Sequence, residues 1–402
     1  MQKPRTYRRF CGLDVGKNTH TLYILDARHH TLVPAQSFHN DARGFQQLRM
    51  RLQETGQKRT VLIGMEATGH YWYSLHDMLV RHGYAVIVLN PIQTARQAHQ
   101  MIRKCKTDKL DARRIAVLLK NGQYRSALIP GELAMTCRQV TRLRYRLVRQ
   151  RTRLKQLIQA HLHPVWPEYE KVFADPFSVT SRKLLAQSPV PEDLRHWDPE
   201  SLGQFLRKTS RGKHGPACME RLQQAANDSV GMQRGLAGTR LAIGVLLEQI
   251  DSTEPLLRKL QEQIESLAQP IPAYLHTLPG STALSLVSLY GEVDPIATFT
   301  DPSQLVAFAG LDPCVHQSGQ FDAPRRRISK RGSPFLRQTL WQMAHRAIYQ
   351  EGDLRQFWLR KRARQNHHLA AVTAVAGKLC RIVWRIMTDE RDYVPERRPS
   401  QS

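Results

Sequence analysis

The apolar positions change their period along the chain, and each change marks a different kind of structure. From residue 10 to residue 90 they come in short runs. "FCGLDVG" (residues 10–16) is a near-continuous apolar strand, and "HTLYILDA" (20–27) alternates, which predicts its antiparallel partner. A third short strand is predicted near 36–39, a helix over 43–53 and a strand at "VLIGME" (61–66). A helix over "HYWYSLHDMLVRHG", closed by Gly83, leads into the strand "YAVIVLN" (84–90). A last helix covers 107–120, with Leu110, Ile115, Leu118 and Leu119 as its apolar members. Three early strands, then two alternating with helices, predict a mixed sheet covered by helices.

Beyond residue 130 the spacing turns helical. Val140, Leu143, Leu147, Leu154 and Leu157 follow a three-four rhythm, the mark of a helix with one apolar seam, and Ile250, Leu257, Leu260, Ile264 and Leu267 form a second. The two helices are expected to pair as an antiparallel hairpin, with an insert over about 166–240 at its tip. That insert, rich in Pro, Ser, Gly and Arg, gives only weak signals. Residues 278–311 resemble a helix-hairpin-helix arrangement: a Pro-Gly turn, a small apolar helix, a glycine-containing break and another apolar helix. Such pairs often present backbone amides to phosphates, and compact helical packing explains the pattern as well. After a loop, Ser333 as N-cap and Pro334 at the first helical position start a helix through Ile348. "LRKRARQNHHLAAVTAVAGKLCRIVWRIM" reads as a further basic amphipathic helix, and "ERRPSQS" as a loose tail.

Charge adds a partner to this outline. The 402 residues include 60 Lys plus Arg against 34 Asp plus Glu, a formal net charge of +26. Such a chain repels itself, and the imbalance points to a polyanion, either nucleic acid or an anionic membrane. No apolar run approaches the roughly 20 residues a membrane span needs, and the charged start is not followed by an apolar signal segment. A soluble cytosolic protein is expected. Six cysteines (Cys11, Cys105, Cys137, Cys218, Cys314, Cys380) lie far apart without a CxxC pair, which argues against a zinc knuckle or a disulfide framework. From 133 to 167 there is no acid but eight cations: Arg138, Arg142, Arg144, Arg146, Arg149, Arg151, Arg153 and Lys155. They form a basic outer face that suits a polyanion, the alternative being a solvated charged surface.

Against that background the acids of "KTDKLDARRIA" stand out. Asp108 and Asp111 are three residues apart, on one face of a helix, where they repel unless a cation lies between them. Asp14 sits near the end of the first strand and Glu66 at the end of the fourth. Neighbouring strands lie about 5 Å apart, so these acids can face a common point if the first and fourth strands are adjacent, with the helix bringing two more. Oxygen-only ligands select Mg²⁺ or Mn²⁺. Singly, each acid has a plainer explanation: the helix dipole for Asp108, a turn for Asp14, solvent for Glu66.

"GLDVGKNTH", "GMEATGHYW", "NPIQTARQ" and "KCKTDKLDARRIA", with "LPGSTALSLVSLYGEV", "FTDPSQLVAFAGLDP" and "SGQFDAPRRRISKRGSPFLRQTL" downstream, resemble the DEDD-type insertion-sequence transposases, the IS one-ten family, related to the pilin-gene invertases. The resemblance covers roughly residues 8–125 and 270–350. It implies an α/β N-terminal RuvC-like (RNase H-like) domain over 1–128 whose Asp14, Glu66, Asp108 and Asp111 bind Mg²⁺. It implies a long helical coiled-coil linker over 129–269, here with an insert larger than the family leads one to expect. The last part, 270–395, would be a mostly α-helical C-terminal transposase domain with a catalytic serine in an "SG" motif, here Ser318. Family members often carry a Ser doublet before the Gly; this chain has Gln317 in the first position, and Ser329 and Ser333 are structural alternatives. A covalent phosphoserine conserves ester energy, so DNA can be cut and resealed without ATP. Arg325, Arg326, Arg327, Lys330 and Arg331 would grip the DNA backbone, and His316 is either a proton shuttle or a surface histidine.

The resemblance further implies a non-coding bridge RNA that pairs with donor and target DNA, delegating sequence choice to base pairing. Arg138, Arg142, Arg146, Arg149 and Arg153 would then bind nucleic acid. It implies a homo-oligomer, a dimer that becomes a tetramer on two DNAs, with one subunit's acids meeting another's serine, working in the bacterial cytosol at the nucleoid. Three other readings stay open. A RuvC-like nuclease would need the acids but not the serine. An actin-like ATPase or sugar kinase would share "GLDVG" but lacks a convincing second phosphate loop. An RNA-binding scaffold would need no metal chemistry.

Overall fold

The computed structural model describes residues 7–66, 69–89, 108–122, 124, 128–313, 328–364 and 367–395, together with the backbone of 317–318 and 321–322. Among the expectations above, "NPIQTARQ", Cys105, Thr107, Cys314, His316, Arg325, Arg326, Arg327 and the tail 396–402 lie outside these residues. The chain divides into two units, Met1–Ile129 and Pro130–Ser402.

Unit 1 is a five-stranded sheet of order β3-β2-β1-β4-β5. Strands β1 (Arg9–Val15), β2 (Thr19–Asp26) and β3 (Thr31–His39) run as an antiparallel meander, and β4 (Val61–Glu66) and β5 (Ala85–Leu89) lie parallel to β1. The third strand starts well before the predicted 36–39, because the pairing with β2 is restored across an irregularity between Leu22 and Leu25. Pro34 is tolerated there because β3 is an edge strand. One sheet face (Cys11, Leu13, Leu22, Ile24, Ile63, Met65) packs on α1 (Ala42–Thr55) and α2 (Trp72–Arg81) through Leu48, Leu52, Trp72, Leu75 and Leu79. The opposite face (Phe10, Tyr23, Leu25, Leu62) packs on α3 (Asp108–Lys120) through Ala112, Ala116 and Leu119.

Two glycines decide how close α3 can come. A Cβ on Gly12 would lie 2.0 Å from the Ala112 carbonyl oxygen and 2.6 Å from the Ala116 nitrogen, and one on Gly64 would meet Ile115 and Leu119. Backbone therefore packs on backbone, and the helix is seated directly on β1 and β4.

Among its described residues, unit 2 is helical apart from one short ribbon. Helices α4 (Glu132–Leu162) and α9 (Leu236–Ala268) pair antiparallel: Leu154, Ile158 and Leu162 meet Ile243, Leu247 and Ile250 at one end, while Cys137 joins Ile264 and Ala268 at the other. On α9, Ile243, Ile250, Leu257 and Ile264 recur at heptad spacing, in phase with the expected seam. On α4 the seam is shifted. Cys137, Thr141, Leu154 and Ile158 are buried, whereas Leu143 and Leu157 of the expected stripe are 48% and 41% exposed. Between the two ends the helices are joined by a half-buried ion pair, Arg151 of α4 to Glu254 of α9 at 3.0 Å.

The insert between these helices is itself helical, a content that its weak local signals do not announce. Four short helices, α5 (Val179–Gln187), α6 (Pro191–Arg195), α7 (Pro199–Ser210) and α8 (Pro216–Asn227), surround a core of Trp166, Tyr169 and Phe173. Trp166 Nε1 donates to the Ala225 carbonyl at 3.0 Å, and the Tyr169 hydroxyl pairs with Ser181.

The remaining helices, α10 (Ala273–His276), α11 (Ala283–Val293), α12 (Pro302–Ala309), α13 (Pro334–Ala347), α14 (Asp353–Ala363) and α15 (His368–Asp389), enclose a second core with the base of α4 and α9. Here Gly291 is not a break. It lies inside α11, where a Cβ would come 2.6 Å from the Arg138 nitrogen, so it lets α4 approach. The expected basic C-terminal helix is two helices: α14 is basic, and α15 buries Val372, Val375, Leu379 and Val383 in the core.

Candidate active site

Asp14 and Glu66 belong to adjacent parallel strands. Leu13 is in register with Met65, so the two acids follow one residue later on each strand. Side chains alternate along a strand, and Phe10 and Leu62, which share parity with Asp14 and Glu66, pack under α3. Both carboxylates are therefore on the α3 face, half-buried at the carboxyl ends of their strands. Asp108 and Asp111 form the first turn of α3, one turn ahead of the Ala112–Gly12 contact, where the helix dipole favours negative charge. The structure thus brings the four acids to one face of one sheet. It does not close them into a ligand sphere: Asp108 is exposed, Asp111 is paired with Arg114 at 2.6 Å, and among the described residues no group of three or more His, Cys, Asp or Glu is placed to hold a metal. The donor set, carboxylates alone, has the chemistry that suits a hard divalent cation.

In unit 2 the serine motif lies on a short antiparallel ribbon, β6 (Gln317–Ser318) and β7 (Phe321–Asp322), with Ser318 opposite Phe321. Only Gly319 and Gln320 separate the pair, which puts Ser318 at the end of the paired segment. Lower down, Pro313 bridges to Ile328, Ser329 N donates to the Asp312 carbonyl at 2.8 Å, and Lys330 N to that of Gly310 at 3.1 Å. The Ser329 hydroxyl donates to the Asp312 carboxylate. Gly310 takes a left-handed conformation (φ 64°), and a Cβ on Gly332 would lie 1.8 Å from the Phe308 oxygen, so this foot also depends on glycine.

The next residue ties that foot to the long hairpin. Ser333 caps α13, accepting from Leu336 N at 3.2 Å, and its hydroxyl donates to Glu292 Oε2 at 2.9 Å. Glu292 is 2% exposed and takes a two-pronged contact from Arg142 of α4, at 2.6 and 3.0 Å. The Arg142 guanidinium also lies over the Phe335 ring, 4.6 Å from its centroid. Arg138 donates to the Gly291 carbonyl at 2.6 Å. Sequence reasoning put Arg138 and Arg142 on a nucleic-acid face, but both join α4 to α11, whereas Arg146, Arg149 and Arg153 are exposed. It also passed over Glu292. The available signal was a lone acid within the apolar run of α11.

Of the serines considered, Ser329 and Ser333 both have structural partners; the side chain of Ser318 is not among the described atoms. Cys11, Cys137, Cys218 and Cys380 are buried thiols. Burial raises all four, Cys137 to about 11 and Cys380 to about 12, so they are inert packing groups. No described helix is long and apolar enough to cross a membrane.

Residues 11–167 match the DEDD-type IS110 family model, described as a transposase, and residues 273–359 match a second model described as transposase, IS116/IS110/IS902 family. The 44.8 kDa protein of insertion element IS116 from Streptomyces clavuligerus is 23% identical over 390 residues, 96% of each chain. The transposase for insertion sequence element IS1111A from Coxiella burnetii is 26% identical over 173 residues, 42% of this chain and 46% of that one. The pilin gene-inverting protein of Moraxella bovis is 29% identical over 106 residues, 26% of this chain and 32% of its own. With both halves matched and relatives aligned nearly end to end, the chain belongs to the IS110 family of insertion-sequence transposases.

Proposed function

We propose that this transposase cuts and rejoins donor and target DNA through a covalent phosphoserine on Ser318, with Asp14, Glu66, Asp108 and Asp111 holding Mg²⁺ or Mn²⁺ and a bridge RNA selecting both DNAs. The observation that carries the reading is the pairing of two features: four acids on one sheet face, and a serine at the end of a ribbon whose neighbouring serines already have structural partners. The strand order 3-2-1-4-5 supports an RNase H-like, RuvC-like assignment for residues 1–128.

In this reading the Ser318 hydroxyl loses its proton and its oxygen forms a new bond to phosphorus. The old phosphoester bond breaks, and the released strand hydroxyl takes up a proton. Attack by the hydroxyl of the other strand then frees the serine and regains the bond without ATP. The bound cation supplies charge neutralisation at the phosphate. Lys330 and Arg331, both exposed beside the ribbon's foot, together with Arg325, Arg326 and Arg327, supply backbone contacts.

Residues 129–269 act as a coiled-coil linker and 270–395 as the transposase domain. The exposed Leu143 and Leu157 of α4 and Leu241 and Leu256 of α9 support assembly into a dimer, and a tetramer on two DNAs. The bridge RNA rests on the family resemblance and on the basic face of Arg146, Arg149 and Arg153.

A trapping assay tests the reading: full-length protein with its co-expressed RNA, Mg²⁺ and end-labelled donor and target DNA, resolved under denaturing conditions. A protein-linked DNA band that disappears in both Ser318→Ala and Asp108→Ala is expected. Free cleaved DNA that persists in Ser318→Ala and vanishes in Asp108→Ala would instead mean a hydrolytic nuclease.

A further inference from the structure

Three helices of unit 2 carry an aromatic ladder that neither the acids nor the serine uses. On α13, Trp341 and His345 are one turn apart and stacked, with centroids 5.3 Å apart and planes 20° from parallel. Tyr349, the next turn along, meets His345 edge-on at 5.5 Å. From the side, His368 of α15 approaches His345 at 6.0 Å and Trp358 of α14 at 5.9 Å, both edge-on.

The ladder runs from the core to the surface: Trp341 and Trp358 pack half-buried against the core of unit 2, His345 and His368 are half-buried, and Tyr349 at the outer end is 67% exposed. Its surroundings are basic. Residues 334–368 hold seven Lys or Arg against two acids, and one of those acids, Asp353, is taken by Lys378 at 2.8 Å and by the Tyr393 hydroxyl. The other, Glu351, is exposed. Arg355 and Arg362 stand three residues before and four after Trp358, so they share its face of α14, and both are exposed.

Flat rings that end a stack at the surface, bordered by cations at helical spacing, match the needs of a strand with unpaired bases. Each base stacks on a ring while its phosphate meets a guanidinium. A double helix has no base faces to offer, and an acidic protein segment would leave the rings unused. We propose that Trp341, His345 and Tyr349, with Arg355 and Arg362 on the Trp358 face of α14, form a stacking site for unpaired nucleotides of a single-stranded nucleic acid. The choice of partner rests on the reading of the chain as a nucleic-acid enzyme. The test below uses no recombination step, so failure of the serine chemistry and failure of this site are distinguishable.

The full-length protein is titrated with a 12-nucleotide oligo(A) strand as RNA and as DNA, with an abasic strand of equal length, and with a 12-base-pair duplex. Tyr349→Ala, Tyr349→Phe and Arg355→Gln are run beside the parent. Tyr349 is the chosen ring because its exposure separates it from the core. The parent should bind the base-bearing strands at least about tenfold more tightly than the abasic one. Tyr349→Ala should remove most of that preference while leaving abasic binding unchanged, and Tyr349→Phe should restore it. Arg355→Gln should weaken base-bearing and abasic strands alike and lower the salt dependence by about 0.7 of a log unit per log unit. Tighter binding of the RNA or of the DNA strand identifies which one supplies the bases. Equal binding of base-bearing and abasic strands, unchanged by Tyr349→Ala, or a duplex bound more tightly than either strand, overturns the proposal.

Discussion

In unit 1 the candidate acids ride on long elements whose positions are set by backbone contact: Gly12 and Gly64 let α3 lie on β1 and β4, and the carboxylates follow from strand register and helix phase. In unit 2 the candidate nucleophile sits on a ribbon of two residue pairs; its foot is held by backbone pairs and close-packed glycines too, and in addition by a chain of side chains from Ser333 to Glu292 and from Glu292 to Arg142 of the long hairpin. The described contacts that place the acids lie within unit 1. Within unit 2, the foot of the serine ribbon is linked through a buried carboxylate to α4, the helix with the exposed arginines.

The strongest way to break this comparison is to fill the space under α3. Gly12→Val puts carbon where the Ala112 carbonyl stands, and backbone cannot yield as a flexible side chain can. A loss of about 3 kcal/mol or more in unit 1, read from the urea midpoint, is expected; a midpoint equal to the parent's would mean that α3 is not seated as described. Next in size is Glu292→Ala, which leaves Arg142 facing a buried gap and should cost unit 2 about 3 kcal/mol. Arg149→Ala, two turns along the same helix, should stay within about 0.5 kcal/mol in stability and lower the salt slope of RNA binding by about 0.7. Equal stability losses at the two sites would erase the distinction between joining and binding arginines.

A smaller effect concerns the cation. Saturating Mg²⁺ or Mn²⁺ should stabilise the parent by about 1–3 kcal/mol, seen as a rise in Tm, and Asp14→Asn and Glu66→Gln should each remove the rise. A gain retained in both variants would place any bound cation elsewhere.

The smallest expected effect is on pH. His20 is fully buried between Phe38 and Phe45, and burial lowers it from its ordinary 6.5, partly offset by the nearby Asn40 side chain. The unfolded chain then binds the extra proton first, so His20's share of unit 1 stability is complete above about pH 6.5 and declines as pH falls below it. In unit 2, Asp353 is shifted in the same direction but acts at lower pH. Burial would raise it, but the Lys378 and Tyr393 hydrogen bonds outweigh burial and hold it below its ordinary 3.8. Its contribution is complete above that value and is lost only in stronger acid. Acid titration of the two unfolding transitions should show unit 1 weakening first, and His20→Phe should flatten that slope.

What was legible in the sequence follows the same division. Short-range signals survived: the apolar runs of β1, β4 and β5, and the cap and proline that open α13. What failed depended on a distant partner. The α4 seam was read partly from Leu143 and Leu157, which are exposed, while Cys137, Thr141, Leu154 and Ile158 are the buried positions against their distant partners. Gly291 was read as a break because glycine is punctuation locally, while its reason is the backbone of Arg138. The insert's core rests on Trp166 reaching Ala225, a separation no local pattern reports. At the candidate site the acids and Ser318 were named from motif and order. Glu292 was not, because nothing nearby shows that a lone acid in an apolar helix will meet Arg142 and Ser333.

The most direct measurement is to identify the amino acid that carries DNA. Complex formed with Mg²⁺, RNA and both DNAs would be stopped in denaturant, trimmed with nuclease and protease, and mapped by mass spectrometry. The account predicts a nucleotide joined through a phosphate to Ser318, absent from Asp14→Asn protein. A nucleotide on Ser329, Ser333 or another residue, or active protein that never carries one, would contradict it.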